Sequence, residues 1–75
     1  MPQQERPFDL LNRAIGQQVL IKLKGGLAIR GKLSSFDIHM NLVLTESEEL
    51  DGSELRAKVG TILLRGGNIL YISPA

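Results

Sequence analysis

Apolar residues recur at helical spacing near the start of the chain and at every second position from Gln17 onward. In "RPFDLLNRAIG" (6–16), Phe8, Leu11 and Ile15 share one helical face, and Asp9 and Arg13 form a favourable i,i+4 pair. Pro7 suits the first turn, Asp9 the positive N-terminal end, and Gly16 the C-terminal cap. The spacing predicts one short helix of about two to three turns. The period then becomes two. "QVLIKLK" sets Val19, Ile21 and Leu23 against Leu20, Lys22 and Lys24, and Gly25-Gly26 punctuates it as a tight hairpin turn would. "LAIRGKLSSF" continues with Leu27, Ile29 and Leu33 opposite Arg30, Lys32 and Ser34, and Gly31 in its middle marks a bend or a close backbone approach. "MNLVLTES" reads as a third strand, "EELDGSE" as a loop turning at Asp51-Gly52, "LRAKVGTILLR" as a fourth strand interrupted at Gly60, and "NILYIS" as a fifth stopped by Pro74.

The expected fold is mainly β: an N-terminal α-helix, then a strongly bent five-stranded antiparallel sheet curled towards an open barrel, as one domain spanning 1–75. "TILL" and "NILYI" are apolar on both faces, unlike the first two strands. A strand buried on both sides needs two covers, and in a chain this small the second cover is another subunit.

Composition sharpens that expectation. A 75-residue chain buries a thin core. With no cysteine and one histidine it has no disulfides, no thiolate zinc site and no histidine cage. Oligomerisation is the remaining source of stability. No run of 18 apolar residues and no apolar leader in "MPQQERPFDLL" point to a cytoplasmic protein without a membrane partner. The net charge of +1 is uninformative, but five of the eight acidic residues (Glu46, Glu48, Glu49, Asp51, Glu54) crowd one window free of Lys and Arg. An acidic loop on an otherwise basic chain suits either an anionic partner held away from that loop or simple solubility.

"FDIHMNLVL" (36–44) places Asp37, His39 and Asn41 at alternate positions before an apolar strand. "LLRGGNILYIS" (63–73) places Arg65-Gly66-Gly67-Asn68 between two others. Each is readable as ordinary turn chemistry. Together they offer an imidazole, an amide, a guanidinium and open backbone N–H groups, a set suited to an unpaired nucleobase. Its faces stack on His39 and Arg65, and the Asn41 amide satisfies a donor beside a carbonyl, as on uracil. Asp37 is placed to hold the NH₂ end of Asn41.

These residues carry a resemblance. "GGLAIRGKLSSFDIHMNLVLTESEE" resembles the first motif of Sm and like-Sm proteins and "ILLRGGNILYIS" the second, with the likeness covering residues 7 to 74 and looking most like the archaeal Sm-like branch. It implies a helix on a bent five-stranded open barrel. It implies copies paired fourth strand to fifth in a ring, usually a heptamer, with uridine-rich single-stranded RNA bound around the central pore. Carried over, His39 and Arg65 sandwich the base, Asn41 reads it, Asp37 orients Asn41, Gly66 gives room near its backbone, and Asn68 faces the site in a closed ring. The family often has Asp after Arg-Gly where this chain has Gly67, which removes a carboxylate anchor for Arg65. "RGGN" also lacks the Lys-His pair of the bacterial hexameric relatives.

The expected role is RNA binding in RNA processing or ribonucleoprotein assembly, without cofactor, metal or small-molecule substrate. The alternative is a structural ring or protein-interaction scaffold with weak RNA binding. Catalysis is not expected. Ser34, Ser35, Asp37 and His39 are hydrolase ingredients, but they lie within six residues of one hairpin, where a nucleophile–base–orienter line is hard to build.

Overall fold

The computed structural model describes residues 6–74. The leader expectation at residues 1–5, and the outer limits of the 1–75 span, lie outside the described residues. Helix α1 (Pro7–Ala14) precedes strands β1 (Gln18–Leu23), β2 (Leu27–Phe36), β3 (Leu42–Asp51), β4 (Glu54–Leu64) and β5 (Ile69–Pro74), with a 3-10 turn at Gly66–Asn68 before β5. All neighbours pair antiparallel, in the order β4-β3-β2-β1-β5. The sheet is open, and β4 and β5 are its two edges.

The helix has the expected two turns but ends before Ile15. It begins with Pro at N1, carries Asp9 in its first turn, and ends at Ala14, with Ile15 turned out at ψ 130° and Gly16 at φ +82°. Ile15 therefore leaves the apolar stripe it was expected to share. Leu11 is buried, Ala14 packs against the core, and Phe8 stacks on Phe36 with ring centroids 5.8 Å apart. The chain leaving the helix is fastened to β2, where Gly16 N–H donates to Leu33 O at 2.8 Å and Leu33 N–H to Gln17 O at 3.0 Å.

The inward side chains Val19, Ile21, Ile29, Leu33, Leu42 and Leu44 form the core with Leu11, and Ile62, Leu64, Ile69 and Ile72 pack against it. Residues from every strand meet there because the sheet bends. At Gly31 a Cβ would lie 2.8 Å from Ser47 Oγ and 3.2 Å from Thr45 O, so only glycine lets β2 and β3 approach this closely. The β2–β3 register slips at the same point, and β3–β4 slips around Ser47, opposite Gly60 at φ +71°. Gly25 and Gly26 take φ +94° and +102°, as the tight turn required.

One segment differs from expectation. "EELDGSE" is not a loop: β3 runs to Asp51 and β4 starts at Glu54, so only Gly52 and Ser53 turn. Cross-strand charge pairs accompany the pairing of these strands. Glu48 bonds Arg30 at 2.7 Å, Glu46 lies 3.6 Å from Lys32, and Glu49 lies 3.9 Å from Arg56. Buried Leu50 anchors the inner face. Three of the five acidic residues are thus matched by cations, while Asp51 and Glu54 sit opposite each other beside the turn.

Candidate nucleic-acid interface

The connection from β2 to β3, residues 37–41, is organised by one carboxylate. Asp37 Oδ1 accepts the backbone N–H groups of His39 at 2.9 Å and Asn41 at 3.0 Å, while Oδ2 accepts Asn41 Nδ2 at 3.1 Å. Two backbone bonds close the turn: Asp37 N–H to Asn41 O at 3.1 Å and Met40 N–H to Asp37 O at 3.0 Å. The Asn41 side-chain amide, then the Asn41 and His39 backbone amides, draw the Asp37 pKa below its ordinary 3.8 by bonding the charged form. Met40 takes φ +63° to complete the turn and sends its side chain to the core.

The second connection packs directly against the first. Gly66 N–H donates to Asn41 Oδ1 at 3.0 Å. A Cβ on Gly66 would run into the carbonyl oxygens of His39 and Met40. The room that glycine leaves is therefore taken by the 39–40 backbone, and this approach brings the two polar turns together. The expectation of open backbone N–H groups is narrowed here. The Gly66 N–H is committed to Asn41, that of Asn68 to Arg65 O at 3.0 Å, and that of Ile69 to Gly66 O.

His39, Asn41, Arg65, Gly67 and Asn68 line one open cleft of about 680 Å³. The expected residues are accordingly united, with Asp37 and Gly66 behind the lining as supports. Gly67 joins them although the sequence marked it only as a departure; its place between Gly66 and Asn68 was the available signal. Neither the imidazole of His39 nor the guanidinium of Arg65 is hydrogen-bonded among the described residues, and His39 interacts with Asp37 only through its charge, so their flat faces are available for stacking. Asn41 is held at both ends, its NH₂ by Asp37 and its oxygen by Gly66. It retains one N–H and one lone pair, the complement of a carbonyl beside an N–H.

The hydrolase arrangement does not form. Asp37 meets the backbone of His39, not its ring, and its other oxygen is committed to Asn41. Among the described residues no group of three or more His, Cys, Asp or Glu is placed to hold a metal ion, and no helix is long and apolar enough to cross a membrane.

Comparison with known proteins agrees with this layout. The LSM domain family matches residues 9–74. An snRNP Sm-like protein of Archaeoglobus fulgidus is 47% identical over 70 residues, covering 93% of this chain and 91% of its own. A Pyrococcus abyssi Sm protein solved in complex with a uridine heptamer superposes with a TM-score of 0.92 at 42% identity, covering 95% of this chain and all of that one. A heptameric archaeal Sm protein superposes at 0.82 with 47% identity, covering 88% and 96%.

Proposed function

The chain belongs to the LSM domain family, and on that premise we propose that it assembles into a ring, a heptamer, that binds uridine-rich single-stranded RNA at the pore. It acts in the cytoplasm, in RNA processing or ribonucleoprotein assembly, as a binding protein and not an enzyme. The Pyrococcus abyssi relative was solved with a uridine heptamer and another relative is heptameric, which supports both halves of the reading.

The observation that carries it is the double fixing of Asn41 beside two flat side chains that are not hydrogen-bonded among the described residues. A free amide flips and accepts several base edges. An amide whose orientation is set by Asp37 and Gly66 presents one pattern, which fits uracil's N3–H and adjoining carbonyl and mismatches cytosine, which lacks that N–H. His39 and Arg65 stack on the base from its two faces, each stack contributing about 1–3 kcal/mol. Asn68 adds a polar group at the cleft edge.

The edges supply the ring. Leu63 on β4 is 65% exposed, and Leu70 and Tyr71 on β5 are 58% and 55% exposed. Pairing β4 of one copy with β5 of the next covers both edges and repeats the cleft around an axis.

The test is binding of short oligo-U and oligo-C at two salt concentrations. Oligo-U preference that persists in moderate salt is expected. Asn41→Ala lowers the U-to-C ratio more than it lowers total affinity, by about tenfold for removal of one bidentate pairing, whereas Arg65→Ala weakens every oligonucleotide. If both variants bind oligo-U as the parent does, the site is misassigned.

A further inference from the structure

Two amide side chains line the cleft, and they are held very differently. Asn41 is bonded at both ends, to Asp37 and to Gly66. Asn68 is fastened only through its backbone. Its N–H donates to Arg65 O at 3.0 Å, and its carbonyl accepts the Lys24 N–H at 2.9 Å. Its side-chain amide has no hydrogen bond among the described residues, so nothing prevents it from turning over. The two glycines before it also differ. Gly66 is required, because a Cβ there would run into the carbonyls of His39 and Met40. Gly67 is not required: its φ lies outside the left-handed region, and a Cβ would have nothing within 4 Å. Glycine at such a position costs conformational entropy without a backbone need for it. What it leaves is a bare stretch of cleft wall between Arg65 and Asn68.

We propose that the cleft reads keto bases of either ring size, taking guanine as well as uracil and rejecting adenine and cytosine. This rests on the RNA-binding reading above and widens its ligand class. The fixed Asn41 amide offers one N–H and one lone pair. Uracil answers with O4 and N3–H. Guanine answers with O6 and N1–H, the same pair in the same order. Cytosine and adenine show an amino group beside a bare ring nitrogen, the reverse pattern, and the clamped Asn41 does not turn to meet it. Along this edge uracil and guanine differ in one further group: the uracil O2 accepts where the guanine N2 amine donates. A fixed partner would choose between them. An amide that turns over donates through its NH₂ or accepts through its oxygen, so Asn68 suits both. The remaining difference is size. A purine bonded to Asn41 through its six-membered ring sets its ribose farther from Asn41 than a pyrimidine does. That displacement needs room in the cleft, and the bare wall at Gly67 supplies it. His39 and Arg65 stack on either ring system, because every base has a π-face.

The experiment measures binding to the full chain, by fluorescence anisotropy, of short oligo-U and of the same oligomer with every second uridine replaced. The replacements are guanosine, inosine, adenosine or cytidine, and guanines kept apart in this way do not stack into quartets. The guanosine and inosine oligomers should bind as oligo-U does. The adenosine and cytidine oligomers should bind at least about tenfold more weakly, for loss of the bidentate pairing. Gly67→Leu fills the bare wall and should lower the guanosine-to-uridine affinity ratio. Asn68→Asp, an acceptor only, should raise that ratio. A guanosine oligomer that falls to the adenosine level overturns the proposal, and leaves the uracil reading standing if oligo-U still exceeds the cytidine oligomer. Equal binding of all five overturns the base site itself, and the proposal with it. An unchanged guanosine-to-uridine ratio in either variant overturns the role given to that residue.

Discussion

Asp37 shows what a single side chain in this molecule can organise. It accepts three hydrogen bonds from residues 39 and 41, and the one to the Asn41 side chain is the bond that a spacing of four residues across a turn suggested. The partner on the other side of Asn41 was not legible. Gly66 lies 25 positions away, and nothing local indicates that its N–H meets Oδ1 or that its missing side chain clears the carbonyls of His39 and Met40. The same bonds yield a pH prediction. They favour the charged carboxylate, so the folded pKa of Asp37 lies below the unfolded 3.8. The contribution to stability is complete above that unfolded value and is lost as pH falls through the lower folded one. Followed by NMR, the Asn41 side-chain amide signals should titrate with a midpoint below 3.8 and should lose that transition in Asp37→Asn. A midpoint at or above 3.8 would mean that the carboxylate does not hold the amide in solution.

The strands illustrate where periodicity succeeds and where it fails. Alternation located β1 and β2 to within a residue, because their inward positions are aliphatic and their outward ones mostly polar or charged. It failed at 48–51, where a run of acids looks like a solvated loop. Their counter-charges sit on β2 and β4 and cannot be seen in the segment itself. Gly31 was legible as a bend, but its partner Ser47 was not. The Ser47 hydroxyl is buried, 1% exposed at the residue level, and lacks a hydrogen-bond partner among the described residues; it occupies the space beside Gly31 that a Cβ would need. Adding a methyl there forces apart two backbones that both belong to the core. Gly31→Ala should cost about 1–3 kcal/mol in chemical denaturation, by overpacking. Gly31→Ala combined with Ser47→Gly should recover part of that loss, since the double change vacates the side-chain oxygen and leaves only the 3.2 Å backbone approaches. No recovery would place the strain in the backbone of β3 alone.

For the molecule as a whole, the two-faced apolarity of β4 and β5 announced that a single copy is incomplete, and the structure puts those two strands at opposite edges of one sheet. The number of copies was not legible, because rings of different size differ by small rotations at an edge whose chemistry is the same. The cleft lies at the turn joining those edges, so each added copy repeats it at a fixed distance from the last. On the proposed ring, a strand of RNA that enters one cleft finds the next at high effective concentration, which can raise avidity by about 10²–10⁴ over a single site without any new interaction. Leu63→Lys with Leu70→Lys separates the two effects. Both residues are exposed and neither belongs to the buried cluster, so the fold should persist by circular dichroism while two lysines repel across every edge. Light scattering should then show small species in place of the ring. Long oligo-U should bind at least about tenfold more weakly, and a uridine dinucleotide, too short to bridge clefts, should lose much less. A double variant that keeps the parent's assembly would remove β4 and β5 from the interface. One that dissociates yet binds long oligo-U as before would show that a single cleft already accounts for the affinity.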